Sequence, residues 1–449
     1  MPHDHKSTIF ALASAPGRAG IAVVRISGEG AGRAIEFMAA PRPKPRRAEG
    51  RFIRHPESGE KLDYGIVLWF PAPKSFTGED VAELHLHGGR AVVHAVISAL
   101  SLLPGLRMAE PGEFARRAFE AGKIDLAEVE GLADLIDAET EAQRRQALAQ
   151  ASGTLSDLYD GWREQLIEAL GLIEAGIDFA DEGDIGAKTF ADATAIVKVL
   201  AQAVNHHLAD GHRGEILREG FRVALTGPPN AGKSSLLNAL ARRNVAIVSE
   251  EAGTTRDVIE VRLDLGGLPV IVSDTAGFRE TEGVIEREGM RRSQAVAEAA
   301  DLVLWLTDAN APQTMLPAAL TAVADRTLLV LNKIDLLSNG NGAPTLPDDM
   351  VPLSVKTGAG LDDLIKRLTV IAGERIGHPG ETVLTQVRHR RLVEACRDGL
   401  ETFLKSSQRD VELRAEDLRL AADALGRITG RVDVEDVLDH IFGRFCIGK

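Results

Sequence analysis

Aromatic residues are scarce in this chain, 4% of 449 with two tyrosines and three tryptophans, so aromatic platforms for stacking bases are not prominent. Cysteine is nearly absent. Cys396 and Cys446 cannot build a disulfide framework, and two lone thiols fit a reducing cytoplasm. No run of about 18 apolar residues exists, which excludes a membrane-spanning helix. The stretch Met1–Phe10 is polar and lacks an apolar signal core. Positive charge is outnumbered: 52 Lys and Arg stand against 66 Asp and Glu, a net charge of −14. That balance argues against nucleic-acid binding through a uniformly basic surface and leaves room only for a local basic patch. What is present, 44% apolar and 26% charged residues, is ordinary for a soluble globular chain of two or three domains.

Residues 1–121 read as an α+β domain. Runs at 21–26 and 64–70 look like strands, 82–87 alternates with period two, and a helix is expected over 92–103. A basic, Pro-rich loop lies at 41–47. Over 122–218 the texture turns helical, with Leu126, Val129, Leu132 and Ile136, then Leu166, Leu170, Ile173 and Ile177, recurring every three or four residues. A break is expected at 181–186. From 219 to 377, strand-like runs at 221–226, 270–273, 302–307 and 328–331 are mostly separated by helical stretches, which predicts a doubly wound, mostly parallel sheet. Helical texture returns over 378–449, with one stripe of Val383, Val387, Leu392, Cys396, Leu400 and Leu404. Leu418, Leu425 and Ile428 form another, and an amphipathic stretch runs over 434–445. The expected fold is multidomain, α/β plus α: an N-terminal α+β domain, then a helical bundle interrupted by an inserted, Ras-like doubly wound domain. Such insertion is tolerated where chain ends meet at a surface.

Gly227-Pro-Pro-Asn-Ala-Gly-Lys-Ser234 has P-loop spacing, follows a strand and opens a helix. Small residues let backbone N–H groups wrap phosphates at a helix N-terminus. Lys233 brings a point charge to the β- and γ-phosphates, and Ser234 a hydroxyl to Mg²⁺. Asp274-Thr275-Ala276-Gly277 ends a later strand, where Asp274 can hold the Mg²⁺ shell. Asn332-Lys333-Ile334-Asp335 follows another. The Asp335 carboxylate can accept from guanine N1–H and the 2-amino group, an edge that adenine lacks, so the base is discriminated by a factor on the order of 10⁴. Ser354-Val355-Lys356 backs the base. Gly253-Thr254-Thr255 occupies the place of a switch loop. Either threonine could complete the Mg²⁺ shell, with Thr255 preferred. The residue after the Asp-Thr-Ala-Gly turn, where Ras-like enzymes keep glutamine, is Phe278, which cannot orient water. The search for catalytic groups therefore moves to the acids and cations of 279–292, Glu286 among them.

Beyond these motifs the sequence resembles the MnmE (TrmE) family of tRNA wobble-uridine modification GTPases. The resemblance runs through Pro16–Gly20 and Val24–Gly28, Phe76–Asp80 with His87–Gly89, Pro111–Phe119 leading into Lys123–Leu126, and the terminal Cys446-Ile-Gly-Lys449. It implies GTP hydrolysis activated by dimerisation and K⁺. Lys233 and Asn230 then act in catalysis beside Glu286, which positions water. Asn230, Ser249, Glu251 and Thr254 hold K⁺, and Ser234 and Thr255 hold Mg²⁺. The implied GTP-binding set is Asn230, Ala231, Gly232, Lys233, Ser234 and Ser235; Ser249, Glu250, Glu251, Ala252, Gly253, Thr254 and Thr255; Asp274, Thr275, Ala276 and Gly277; and Asn332, Lys333, Asp335, Ser354 and Lys356. The N-terminal domain is implied to be folate-binding-like and to mediate a homodimer. Arg25, Glu83, Lys123 and Lys449 match its contacts to a 5-formyl- or 5,10-methylene-tetrahydrofolate. Guanidinium and ammonium groups suit the carboxylates of such a ligand. The implied reaction adds a carboxymethylaminomethyl or aminomethyl group to C5 of a tRNA wobble uridine, with an MnmG-type FAD protein as partner in a heterotetramer. No membrane is involved, and the location is cytoplasmic. Ser249 stands where threonine is usual and Val355 where alanine is usual.

Several residues keep two readings. Cys446 is either a packed thiol or part of the modification chemistry. Arg388-His-Arg-Arg391 is a solvated helix face or a tRNA phosphate contact, and charge alone does not decide. Cys396, on an apolar stripe, is expected in the core. A binding switch that reads RNA without modifying it would share the nucleotide site, but would have no need of the folate-type residues.

Overall fold

The structure, a computed structural model, describes residues 7–178, 183–243, 245–247, 260–274, 294–313, 315–337, 350–377, 383–405, 410–432, 435–443, 445 and 448; the side chains of 183–185, 318–319, 435–437 and 440 are not described. The chain divides into two compact units, residues 1–133 with 426–449, and residues 134–425. The helical segment expected over 378–449 is thus shared between them.

The first unit is built on a six-stranded sheet in the order β3-β4-β5-β2-β1-β6. Its strands are β1 (Thr8–Leu12), β2 (Ala19–Ser27), β3 (Glu49–Arg54), β4 (Lys61–Phe70), β5 (Val81–Gly88) and β6 (Leu106–Met108). All neighbours are antiparallel except β1 and β6. Val24 and Ile26 on β2 and Leu84 and Leu86 on β5 point to one face, as period two requires. They pack against α1 (Ala31–Ala39) and α2 (Arg90–Ser101). Helix α1 adds to the expected elements, and Ala31, Ala34, Ile35, Met38 and Ala39 form its buried stripe. A second core joins α3 (Glu113–Glu120) and the start of α4 (Leu126–Asp137) to Ile441, Phe442 and Phe445 from the far end of the chain.

The second unit holds α5 (Glu141–Ala151), α6 (Thr154–Asp178) and α7 (Gly183–Glu219), then an α/β part, then α10 (Val387–Lys405) and α11 (Val411–Thr429) as far as Leu425. The α/β part contains α8 (Lys233–Ala241), α9 (Leu361–Ile376) and a sheet ordered β12-β11-β10-β7-β9-β8. Its strands are β7 (Phe221–Thr226), β8 (Glu260–Leu265), β9 (Leu268–Asp274), β10 (Leu302–Asp308), β11 (Thr327–Asn332) and β12 (Val351–Pro352). Every pairing is parallel except β8 with β9. This is the doubly wound sheet expected from the alternating texture, with one antiparallel edge.

The ends of the α/β part meet on α7. Gly377 lies against Arg213, and a Cβ on Gly214 would come 2.1 Å from the Leu384 carbonyl oxygen, so the returning chain crosses α7 at backbone contact. One apolar stripe is placed differently from its expectation. In α10 the buried residues are His389, Val393, Cys396, Leu400 and Phe403, spaced four and three in turn, whereas Leu392 and Leu404 lie only half in. The expected spacing of fours and one five drifts around a helix of 3.6 residues per turn. Cys396 is fully buried as expected, and burial pushes its thiol pKa up to about 12.

His207 of α7 is buried beside Tyr159 and Trp162 of α6, with the Tyr159 hydroxyl 3.0 Å from its Nε2. Burial outweighs the attraction of Asp210 and lowers its pKa from 6.5 to about 4. Above pH 6.5 the ring is neutral in folded and unfolded chains alike. As pH falls from 6.5 towards 4 the unfolded chain binds a proton that the fold resists. Stability on the order of 3 kcal/mol should be lost across that window. Unfolding midpoints of wild type and His207→Gln between pH 7 and 4 check this: the wild-type slope should be the steeper. Parallel curves would remove His207 from the account.

Candidate nucleotide site and a second polar site

Because β7, β9, β10, β11 and β12 run parallel, their C-terminal ends lie along one edge of the sheet. The loops leaving that edge carry the expected motifs. Gly227 follows β7 with φ +146°, and a Cβ there would meet the Leu306 carbonyl oxygen of β10 at 2.1 Å, so only glycine fits. Asn230 also has positive φ (60°), and Ala231 and Gly232 lead into α8, which begins at Lys233. The first turn of α8 brings N–H groups that no preceding turn of the helix can use, and its positive dipole end, to the loop, with Ser234 and Ser235 in that turn. The Lys233 ammonium donates to the carbonyls of Gly227 (2.8 Å) and Pro228 (3.0 Å), bridging the loop it serves.

Asp274 ends β9, is 1% exposed, and accepts the Ser234 hydroxyl at 2.8 Å. A buried carboxylate and a hydroxyl meeting beside a phosphate loop form a hard-oxygen pair that fits a Mg²⁺ shell.

Asn332 ends β11 and is buried. Its Nδ2 donates to the Ala231 carbonyl at 2.8 Å, and its Oδ1 accepts from the N–H groups of Lys333 (2.8 Å) and Val355 (3.1 Å). One amide therefore ties the phosphate loop to both loops expected around the base. Ser354, fully buried, donates its hydroxyl to Asp335 Oδ1 at 2.6 Å and accepts from the Thr357 N–H at 3.2 Å, which orients the exposed Asp335 carboxylate. Lys333 takes φ 67° and extends to Asp308 Oδ2 at 2.7 Å. That hydrogen bond holds the Asp308 carboxyl below its usual range. Sequence reasoning missed Asp308; the available signal was a lone carboxylate at the C-terminal end of a buried strand. Lys356 is exposed next to Val355. Ser249, Glu250, Glu251, Ala252, Gly253, Thr254, Thr255, Thr275, Ala276, Gly277 and Glu286 lie outside the described residues, as do Cys446 and Lys449.

The first unit carries a second polar site on the sheet face opposite α1 and α2, the face on which α3 packs. Arg25 on β2 and Glu83 on β5 are register partners, and the Arg25 Nε donates to Glu83 Oε1 at 3.0 Å. His85 Nε2 lies 3.3 Å from the other Glu83 oxygen. The Arg25 guanidinium sits 5.6 Å from the ring of Phe76 and 5.8 Å from that of Phe114. Lys123 is exposed, with its stem over the 71–80 loop at Gly78. Gly448, φ +110°, packs so closely on β1 that a Cβ would meet the Leu12 carbonyl oxygen at 2.0 Å. Leu12 is one residue from Ala11, whose β2 partner is Arg25, so Gly448 lies on β1, the strand next to the one that carries Arg25.

The basic run at 388–391 is largely structural. His389 is fully buried, Arg390 pairs with Glu215 at 2.8 Å, and Arg388 meets His389 Nε2 at 3.0 Å; Arg391 is exposed.

Two family models match the chain: the GTP-binding protein TrmE N-terminus over residues 8–123 and the MnmE helical domain over residues 126–446. Among similar curated proteins, the tRNA modification GTPase MnmE of Parvibaculum lavamentivorans is 55% identical over 449 residues, covering 98% of this chain and 100% of the relative. That of Paramagnetospirillum magneticum is 53% identical over 443 residues, covering 98% and 99%. Among solved structures, a point variant of Aquifex aeolicus Era bound to GDP.AlF4⁻ is 26% identical, with 40% of this chain and 66% of that chain covered and a TM-score of 0.27. Matched along nearly its whole length by relatives more than half identical to it, the chain belongs to the MnmE family of tRNA modification GTPases.

Proposed function

We propose that the protein hydrolyses GTP in the service of tRNA modification. The observation that carries this reading is the meeting, on one sheet edge, of a phosphate loop, a hydroxyl paired with a buried carboxylate and an oriented base-reading carboxylate, in a chain matched end to end by tRNA modification GTPases. Main-chain N–H groups of 230–234 and the Lys233 ammonium bind the phosphates, and Asp335 reads guanine. Ser234, Asp274 and Thr255 would hold Mg²⁺, which supplies charge against the phosphate oxygens. Asn230, with Ser249, Glu251 and Thr254, would hold K⁺, which supplies the charge that an arginine finger brings elsewhere. Glu286 takes the water-orienting role that Phe278 cannot.

The finer reading is addition of an aminomethyl or carboxymethylaminomethyl group at C5 of the wobble uridine, with a tetrahydrofolate derivative and an MnmG-type flavoprotein as partners. Arg25 and Glu83, flanked by two aromatic rings, form a charged and partly apolar cluster whose chemistry suits a folate, and the position of Gly448 supports bringing Lys449 and Cys446 to it. The same sheet face exposes Ile21 (64%) and Tyr64 (54%) beside Phe52 and Ile66. An open apolar face of this kind supports a homodimer formed through the first unit.

Two measurements test the proposal. GTP turnover should need K⁺ and fall steeply in Na⁺, since the smaller ion fits a carbonyl cage poorly; equal rates in the two salts would reject the cation assignment. Truncation before Cys446 should abolish wobble-uridine modification in tRNA nucleoside analysis while GTP binding persists. Wild-type modification in the truncated strain would detach the C-terminus from the chemistry.

A further inference from the structure

The loop of residues 71–80 touches both ends of the second polar site. Phe76 faces the Arg25 guanidinium, and Gly78 lies under the Lys123 stem, where a Cβ would meet Lys123 Cε at 3.1 Å. What fixes this loop lies beneath it. Thr77 and Ser27 are both fully buried, with their hydroxyl oxygens 2.7 Å apart. The Ser27 hydroxyl donates to Glu79 Oε2 at 2.6 Å. A hydroxyl has one proton to give, so Thr77 donates to Ser27 and the chain of hydrogen bonds runs toward Glu79. That carboxylate is met by Arg117 of α3, 6% exposed, whose Nη1 lies 3.2 and 3.1 Å from its two oxygens. Arg117 Nη2 donates to the Ser7 carbonyl (2.9 Å) and to Glu113 (3.0 Å), and Glu113 is gripped in turn by two bonds from Arg107. Burying ions is a poor way to gain stability but a good way to fix geometry, because a displaced partner leaves a charge uncompensated.

We propose that the Glu79–Arg117 pair is a positioning clamp for the second polar site, holding loop 71–80 so that Phe76 and Lys123 flank whatever ligand Arg25 binds. The proposal rests on the folate reading of that site. Neither residue touches the ligand; both act through the loop.

The test uses the full-length protein and 5-formyltetrahydrofolate, titrated by calorimetry into wild type, Glu79→Gln and Arg25→Ala. Lys74, exposed within the loop, gives a second readout, the rate of tryptic cleavage after it in the native protein. Glu79→Gln should bind the folate roughly 10-fold more weakly and be cut at Lys74 faster, with its melting temperature little changed. Arg25→Ala should lose the folate without faster cutting. If Glu79→Gln unfolds, Thr77→Val removes only the hydroxyl link and carries the same expectations. Wild-type protein that binds no folate would overturn both the reading and the clamp. Folate binding lost in Arg25→Ala but intact in Glu79→Gln would overturn the clamp alone. Weakened binding with unchanged cleavage would overturn it too, because Glu79 would then contact the ligand directly.

Discussion

Asp335→Asn should weaken GTP binding by about 100-fold or more and create affinity for xanthosine triphosphate. Guanine offers two adjacent donors, N1–H and the 2-amino group, and a carboxylate has an acceptor for each. An asparagine amide sets its own N–H₂ against one of them, so a hydrogen bond is lost and a donor is left facing a donor. Xanthine carries oxygen at C2, which the amide satisfies. The buried Ser354 hydroxyl bonds Asp335 Oδ1 at 2.6 Å and would hold an asparagine oxygen there too, turning the amide nitrogen outward. Titration of a fluorescent GTP analogue, with unlabelled GTP and xanthosine triphosphate as competitors, measures both changes. Unchanged GTP affinity would remove Asp335 from the base site.

The second large effect is expected at Asn332. Truncation to alanine deletes three hydrogen bonds at once, to the Ala231 carbonyl and from the Lys333 and Val355 N–H groups. Each buried group so orphaned costs about 1–3 kcal/mol. A loss of about 3 kcal/mol in stability is therefore expected, together with nucleotide affinity, since the phosphate loop and the two base loops lose their common tie. Asn332→Asp separates the two causes. It keeps size and the Oδ1 acceptor but places an oxygen against the Ala231 carbonyl, so it should bind nucleotide nearly as poorly as alanine. Denaturant midpoints and nucleotide titrations on both variants provide the check. An aspartate variant with wild-type affinity would show that the link to Ala231 carries nothing.

Much of the nucleotide site was legible because phosphate and base recognition depend on short contiguous motifs. Gly227–Ser234 and Asn332–Asp335 announce themselves by spacing, and the long buried strands β7, β10 and β11 by their apolar runs. The tie made by Asn332 was not legible, because its partners Ala231 and Val355 are far away in sequence and are met through backbone atoms common to every residue. The pairing of Arg25 with Glu83 depends on the register of β2 and β5, which no local pattern states. Strand β8 was legible in principle, since Leu263 and Leu265 turn inward between polar neighbours, but its alternation is short and lies at a sheet edge. In the same way the α10 stripe was displaced because leucines at 392 and 404 look like core residues until the true period is drawn through Val393 and Phe403.

Helix α7 is a long rod running through the second unit. It is 37 residues long, so its axis extends about 55 Å. Ile216 and Leu217, in its last turns, are embedded in the core of the α/β part, while His207 and Val204 belong to the core shared with α6. A rod anchored in this way converts rotation into travel. Tilting its α/β end by about 5° sweeps the opposite tip through about 5 Å, more than the rise of three helical residues. A tilt of that size at the α/β end is, at the other end of the same continuous helix, a displacement the size of a side chain.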